Sequence, residues 1–486
     1  MFLRELNASG LVLAAVALAG AMPALAEGNV DNANMSVADQ QAQRSKQVTP
    51  NSPAVADRPS TTAEGETVVP GAPVDRQPLV DTTIKGSPYL TGNWGCFRSR
   101  LADRGVKITA NEIFDATYNV NGGSRQIWRG AGQFLFGTTI DTEKLLGITH
   151  GTFQLTIVDR HGRGLQTDAA LGLLQGPQAV FGRGSVTRLS QIWYEQNFGK
   201  TQVKAGRFNH GDDFGVAPLF FENLALVGPA SGQITGTYLY NIPVSAWGVR
   251  VRQEFSPTIH VNVAMLESNP VNLREDRGFY MGFKGRTGII LAGEIQWTPK
   301  FGAQGQLPGV YKVGMWRDSS DSADIASDLN GNTQAMTGLP FQQRHQHFGV
   351  HFNIEQQLTP KHDGRNGLSV GVIYARIDDE TNRLHSKGSV RLTYGGLTEA
   401  RPKDDLSFGV GRTQINDRLT RSQREQVEAG RLVEAQGDEY TAELSYGLHW
   451  TDFLTLRPGA QFIHHPGGYS SRHDIGILET RAIINF

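Results

Sequence analysis

The sequence predicts an all-β fold, a 16-stranded antiparallel transmembrane β-barrel with a short helix at its N-terminal, periplasmic side. Three observations lead there. Apolar and polar residues alternate with period two from about residue 107 to the C-terminus. The links between alternating runs are short at one end of the strands and long at the other. Beyond the first 26 residues no apolar run approaches the ~20 residues that a membrane helix needs.

Composition is compatible with this fold. The 486 residues carry 46 Lys+Arg against 47 Asp+Glu, a formal charge of −1, so no basic field points to nucleic acid. The single cysteine excludes an intrachain disulfide framework and a multi-cysteine metal site. A mean hydropathy of −0.33 rules out a bundle of transmembrane helices. It does not rule out a barrel, because a barrel strand shows lipid only one of its two faces.

Taken in order, residues 1–26 read as a secretory signal peptide. Arg4 gives a basic start, Leu11 to Ala21 is apolar, and Ala24-Leu25-Ala26 is a small-x-small cleavage pattern before Glu27. Residues 27–88 are rich in Asn, Gln, Ser, Thr, Asp, Ala and Pro and almost lack aromatics. Such a segment buries too little apolar area to offset its chain entropy, so it reads as a disordered periplasmic extension. Residues 89–106 hold a compact motif and a short amphipathic helix over 95–104, with Phe97 and Leu101 one turn apart. Cys96 there reads as a small buried apolar residue rather than a reactive thiol.

The barrel occupies 107–486. Strands are expected at 107–120, 132–141, 151–160, 188–198, 202–209, 247–255, 260–266, 289–297, 310–317, 347–356, 367–376, 388–394, 405–412, 440–450, 454–463 and 475–486. The run Phe279 to Lys284 is assigned to a loop, which keeps the number even. Links 199–201, 256–259 and 451–453 are short; links 161–187, 210–246, 267–288, 318–346 and 413–439 are long and fall at the other end. Short periplasmic turns and long outer loops are the habit of outer-membrane barrels, and sixteen strands enclose an aqueous channel. Tyr118, Trp297, Tyr374, Tyr394, Trp450 and Phe486 sit near strand ends, as interfacial girdles require.

From Thr91 to Leu101 the chain reads T-G-N-W-G-C-F-R-S-R-L, followed by A-D-R-G-V. Further on come Asn119-Val120-Asn121-Gly122-Gly123, Asp141-x-Glu143-Lys144-Leu145-Leu146-Gly147, Tyr194-Glu195-Gln196-x-Phe198 with Ala205-Gly206-Arg207, and Pro466-Gly467-Gly468. This ordered set, from about residue 88 to the C-terminus, resembles the carbohydrate-selective porins of the OprB family. Two positions depart from the family's usual G-D-W-G-G: Asn93 stands for Asp and Cys96 for the second Gly. The resemblance implies a sugar-permeable outer-membrane barrel of sixteen strands. It also places the short helix against the periplasmic mouth.

A sugar channel needs polar groups for hydroxyls and aromatic faces for the apolar side of a pyranose, with binding weak enough for release. Register nominates the lining. If Trp247, Val249 and Val251 face lipid, then Arg250, Arg252 and Glu254 face the lumen; likewise Phe153, Leu155 and Ile157 put Arg160 inside. Glu112 is a further candidate, although Ile113 breaks the pattern of its strand. On the fourth strand either Trp193 with Glu195 faces inward, or Tyr194 does. The cost of a lipid-facing carboxylate favours Trp193 and Glu195. The loop 210–246 resembles, in position, the porin loop that folds into the barrel, and Arg125, Arg129, Arg163 and Arg183 of the first two outer loops are candidates for a basic constriction.

No catalytic constellation, cofactor motif or metal site emerges. His347 and His351 stand about 13 Å apart on a strand, too far to share an ion. The acidic loop Asp318 to Asn332 lacks the spacing of a calcium loop. The expected partners are sugars and the lipid and lipopolysaccharide of a bacterial outer membrane, not nucleic acid, and the assembly is a monomer or a homotrimer. The rival readings are a general diffusion porin without sugar preference, an outer-membrane hydrolase, and a secreted glycan-binding β-protein.

Overall fold

The computed structural model describes residues 87–181, 184–218, 220–228, 240–360 and 366–486. The expected signal peptide and all but the end of the polar extension lie outside the described residues. The wall comprises sixteen strands, each antiparallel to its neighbours. They are β1 (Val106–Asn119), β2 (Trp128–Asp141), β3 (Gly151–Gly162), β4 (Val186–Phe198), β5 (Thr201–Phe208), β6 (Ala246–Ser256), β7 (Ile259–Ser268) and β8 (Gly288–Trp297). After these come β9 (Leu307–Asp318), β10 (His347–Gln357), β11 (Gly367–Ile377), β12 (Leu384–Gly395), β13 (Asp405–Ile415), β14 (Glu439–His449), β15 (Leu454–His464) and β16 (Ile475–Asn485).

Closure is made by β1 against β16, in register from Asn111 opposite Asn485 to Asn119 opposite Ile477. With the seam closed, main-chain N–H and C=O groups of the wall find partners within the wall, which hydrocarbon demands. Gly199 and Lys200 alone separate β4 from β5, and Pro257 and Thr258 alone separate β6 from β7. The long loops 163–185, 209–245, 269–287, 319–346 and 416–438 all leave the opposite end. Phe279–Lys284 forms no strand and lies in the loop after β7.

The two largest boundary shifts have local reasons. β2 starts at Trp128, not 132, because Gly130 and Gly132 interrupt the apolar face without interrupting the hydrogen-bond ladder to β1. β12 starts at Leu384, where the ladder slips by a residue before Ser386. The acidic outer loop also folds further than expected, into a small hairpin of Ser322–Asp328 and Phe341–Arg344.

The outer surface of the wall is apolar, with Val313, Met315, Phe348 and Phe462 at least half exposed. Tyr118 stacks on Trp128 at 5.0 Å at the long-loop end, while Trp297 packs with Phe301 and Tyr311 at the short-turn end. At that end the helix Phe97–Asp103 closes onto the seam. Arg98 lies between the rings of Tyr89 and Trp94, 3.9 and 4.2 Å from their centroids, and donates to the Phe486 carbonyl at 2.7 Å. Leu90 N–H donates to the Asn485 carbonyl at 2.7 Å. Cys96 is half-buried rather than buried, and its φ of 68° is left-handed. The family's usual glycine adopts that region without a Cβ penalty.

Inside the seam, Arg481 of β16 and Asp115 of β1 form a fully buried pair with contacts of 2.6 and 2.9 Å. Outside, Asp324 of the small hairpin accepts from Ala326 and Ser327 N–H and pairs with Arg344 and Arg418, fastening the hairpin to the helix Asp417–Glu428. Burial pushes the Asp324 carboxyl up, but those N–H groups and the two guanidiniums together hold it below the usual carboxylate range.

Arg481→Met should strand Asp115 as an unpaired buried charge and cost about 3–5 kcal/mol. The expected readout is a lower temperature for the folded-to-unfolded band shift in detergent electrophoresis. A second expectation concerns pH. A carboxyl whose folded value lies below its unfolded value of about 3.9 stabilises above that value and ceases to do so as pH falls through the folded one. Limited proteolysis within 319–346 should therefore rise only at strongly acidic pH, and Asp324→Asn should show the same cleavage at pH 7.

Candidate functional site

Alternation places one side chain in two of each strand in the lumen, and the infolded loops show which. On β4 the inward positions are Arg188, Ser190, Gln191, Trp193 and Glu195, the double step at Ser190 and Gln191 arising from a register shift against Thr156 and Ile157 of β3. Trp193 and Glu195 thus face the lumen. On β6 the inward positions are Ala246, Gly248, Arg250, Arg252 and Glu254. The face predicted for these two strands is the face observed.

The described parts of the loop after β5, residues 209–218 and 220–228, do not stand in the outer medium. They enter the barrel and lie against the wall. Asp213 accepts from Lys204 of β5 at 2.9 and 3.0 Å and from Arg250 of β6 at 3.2 Å. Arg250 also pairs with Glu195 at 2.6 Å. Gly215 N–H donates to Glu294 of β8 at 2.6 Å, and Glu294 also meets His351 of β10 at 2.9 Å. The Val216 carbonyl takes bonds from Lys312 of β9 and Asn353 of β10, both at 2.8 Å.

Across the lumen, Glu443 of β14 accepts from Glu222 and Asn223 N–H at 2.7 and 2.8 Å, and Arg481 of β16 donates to the Phe221 carbonyl at 2.9 Å. Lys387 of β12, fully buried, donates to the carbonyls of Leu224, Val227 and Gly228 at 2.8 to 3.1 Å. The intervening strand β13 is bare where the loop crosses it: a Cβ on Gly409 would stand 2.9 Å from the Phe221 ring, and one on Gly411 would stand 3.2 Å from Leu226. A side chain at either position pushes the loop off the wall.

Residues 163–181 of the preceding long loop fold in beside it. Leu224 N–H bonds the Gly176 carbonyl and Ala179 N–H the Glu222 carbonyl, so the two loops form one inner layer. Glu439 of β14 accepts from Leu174, Gln175 and Gly467 N–H at 2.8 to 3.0 Å. Phe220 is half-buried at the layer's margin, 5.4 Å from the guanidinium of Arg457 on β15, which itself pairs with Asp405 of β13 at 2.6 and 2.8 Å. Arg391 of β12 pairs with Glu355 of β10 nearby.

Several sequence-nominated residues take other roles than lining. Glu112 faces outward, not into the lumen. Its neighbours Asn111, Ile113 and Asp115 take the inward side, Asp115 because of Arg481, and Ile113 because it packs with Val180 of the second inner loop. Glu112 Oε1 lies 3.4 Å from His161 Nε2, and His161 Nδ1 lies 3.2 Å from Asp159, all on the outer face of β1 and β3. Arg160 faces inward but is sealed, bonding Gln133 and the Ile242 carbonyl, each at 2.9 Å. Trp193, Glu195 and Arg250 are covered by Asp213 and Lys204, whose ammonium sits 4.5 Å above the Trp193 ring.

Arg125 is exposed on the outer rim and donates to the Asp168 carbonyl at 3.2 Å; Arg129 and Arg163 both pair with the Asp168 carboxylate. Two arginines of the expected basic cluster therefore share one acid, Arg125 meets only its main chain, and Arg183 lies outside the described residues. Arg252 and Glu254 are left half-buried on the periplasmic side of the loop, Arg252 beside His260 at 3.2 Å. Lys204, Asp213, Glu294, Lys312, Glu355, Lys387, Arg391, Asp405, Glu443 and Arg457 were not nominated. All but Asp213 sit on the polar face of an alternating run, so their face was readable while their partners were not.

A closed barrel with an apolar coat, a charged bore and a loop laid across that bore is a water-filled diffusion channel of an outer membrane. Residues 125–486 match the carbohydrate-selective porin family OprB, and the chain belongs to that family. Porin B of Pseudomonas aeruginosa is 36% identical over 399 residues, covering 79% of this chain and 88% of that protein. The solved high-pH structure of Pseudomonas putida OprB superposes with a TM-score of 0.79 at 34% identity, covering 83% of this chain and all of that one. Fold and family are those of a channel rather than an enzyme.

Asp213→Ala removes the acceptor shared by Lys204 and Arg250 and frees the first part of the loop. Single-channel recordings should show larger, noisier conductance and a shift toward anions, since Lys204 is left uncompensated while Arg250 keeps Glu195. Gly411→Val should instead narrow the channel, by pushing Leu226 from the wall into the lumen, and without that shift in ion preference.

Proposed function

We propose that the protein passes monosaccharides and small oligosaccharides into the periplasm by passive diffusion, with contacts at the margin of the infolded loop. The observation that carries this is the pairing of charges there. Arg391 pairs with the partly exposed Glu355, and the nearly buried pairs of Arg457 with Asp405 and Lys204 with Asp213 stand behind it, so donors and acceptors alternate along the bore. A neutral polyol satisfies both kinds of group, whereas an ion meets attraction and repulsion alternately. Phe220 supplies an aromatic edge for the apolar face of a pyranose, and Arg252 and Glu254 extend the polar track toward the periplasm. Trp193, Glu195 and Arg250 act one layer back by holding Asp213.

The same reading includes export by a signal peptide cleaved after Ala26, a periplasmic extension over 27–88, and residence in the outer membrane among lipopolysaccharide. As for assembly, the outward cluster of Glu112, Asp159 and His161 supports the homotrimer over the monomer, because ionisable groups facing lipid at mid-wall are costly.

Liposome swelling with a size-graded sugar series tests the reading. Rates should fall from monosaccharides to trisaccharides, and Phe220→Ala together with Arg457→Ala should flatten the difference between sugars and size-matched amino acids. Rates that depend only on solute size, in the parent protein, would instead mark a general diffusion porin.

A further inference from the structure

Above the channel, two outer loops border a half-open polar cleft that the wall and its infolded layer do not use. The helix Asp417–Glu428 of the last long loop carries Arg418, Arg421, Ser422 and Glu425 at i, i+3, i+4 and i+7, a single stripe along one face. That stripe faces the small hairpin of the loop after β9. Two arginines fix the distance between them. Arg418 grips Asp324 and Ser327 at 2.9 Å, and Arg431, just past the helix, donates to the Ala335 carbonyl at 2.7 Å. Between these two anchors lies a cavity of about 550 Å³. It falls within the ~300–1,000 Å³ of small-molecule sites.

The chemistry of its lining is specific. Several other polar side chains of these loops are bonded to the protein: Asp324 as above, Asp328 to Thr337 and to Asn330 and Asn332 N–H, Asp321 to His345. The cavity is lined instead by Asn332, Thr333, Arg421, Ser422 and Glu425, whose side chains have no hydrogen-bond partner among the described residues. Met336 adds an apolar surface beside them. One guanidinium and one carboxylate, a helical turn or ~6 Å apart, cancel in charge and offer donors and acceptors on either side of two hydroxyls and an amide.

From this we infer that the cavity between the outer hairpin and the helix Asp417–Glu428 is a binding site for a saccharide unit, separate from the channel. Arg421 donates to, and Glu425 accepts from, ring hydroxyls; Ser422, Thr333 and Asn332 do both; Met336 covers a C–H face of the ring. The occupant is a neutral pyranose, either of a soluble saccharide or of the core oligosaccharide of neighbouring lipopolysaccharide. The inference rests on this cavity and not on sugar preference in the channel, so either can fail alone.

Photo-crosslinking tests it. Detergent-solubilised protein is irradiated with a diazirine-bearing maltose, and labelled peptides are mapped by mass spectrometry, with free maltose and purified lipopolysaccharide core oligosaccharide as competitors. Label is expected within Asn332–Thr337 and Arg421–Glu425. Arg421→Ala with Glu425→Ala should reduce it roughly tenfold or more, the loss of two charge-assisted bonds. Both residues lie on a helix outside the wall, and the detergent-gel band shift checks that the barrel has folded. Competition by free maltose identifies a soluble sugar as occupant; competition by the core oligosaccharide alone identifies lipopolysaccharide, and both support a saccharide site. Label confined to lumen peptides, or label unchanged in the double variant, overturns it. Label in the outer peptides with none in the lumen leaves this site standing and counts against sugar contact in the channel.

Discussion

A loop folded into a barrel carries its main-chain N–H and C=O groups away from bulk water, and each needs a partner there. The inner face of this barrel is organised around that need. Glu294 and Glu443 accept from the loop's N–H groups, while Lys312, Asn353, Lys387 and Arg481 donate to its carbonyls. The wall's charges are thus spent largely on a segment of its own chain. An unsatisfied buried group of this kind costs about 1–3 kcal/mol, so the loop sits where it does because the wall answers it strand by strand. The half-buried Phe220, Arg252, Glu254 and Glu355 at the loop's margin are the surface that remains for a solute.

How much of this was legible in the sequence follows from the range of each signal. Period-two alternation is local, and it located all sixteen strands and the inward side of Trp193, Glu195, Arg250 and Arg252. Loop lengths are also local, and they fixed the orientation of the strands. Partnership is not local: Glu443 meets Glu222 across 221 residues, and Lys387 meets Gly228 across 159. Nothing in the spacing of either residue announces the other. Residues such as Arg160 and Arg250 therefore read as open lining, when the loop in fact covers them.

Glu112 failed for a different reason. The inward side of β1 must hold Ile113 against the inner loop and Asp115 against Arg481, and both needs are tertiary. They override the local preference for an inward carboxylate, and the pattern of the strand blurs at that point because two demands compete within four residues. The bare positions Gly130 and Gly132 on the neighbouring strand fit the same picture. A Cβ on Gly132 would stand 2.4 Å from Glu112 and 2.3 Å from His161, so the outward cluster forms only because that strand leaves room.

That cluster gives the barrel a side. Around most of the circumference Leu, Val, Ile, Phe and Met present a uniform coat, and acyl chains pack against any part of it alike. At β1 to β3 the coat is broken by Glu112, Asp159 and His161, which draw water and headgroups down or exclude acyl chains altogether. The consequence is rotational order within the membrane plane. In a crowded outer membrane this protein does not meet its surroundings as a smooth cylinder, because one side of it is polar.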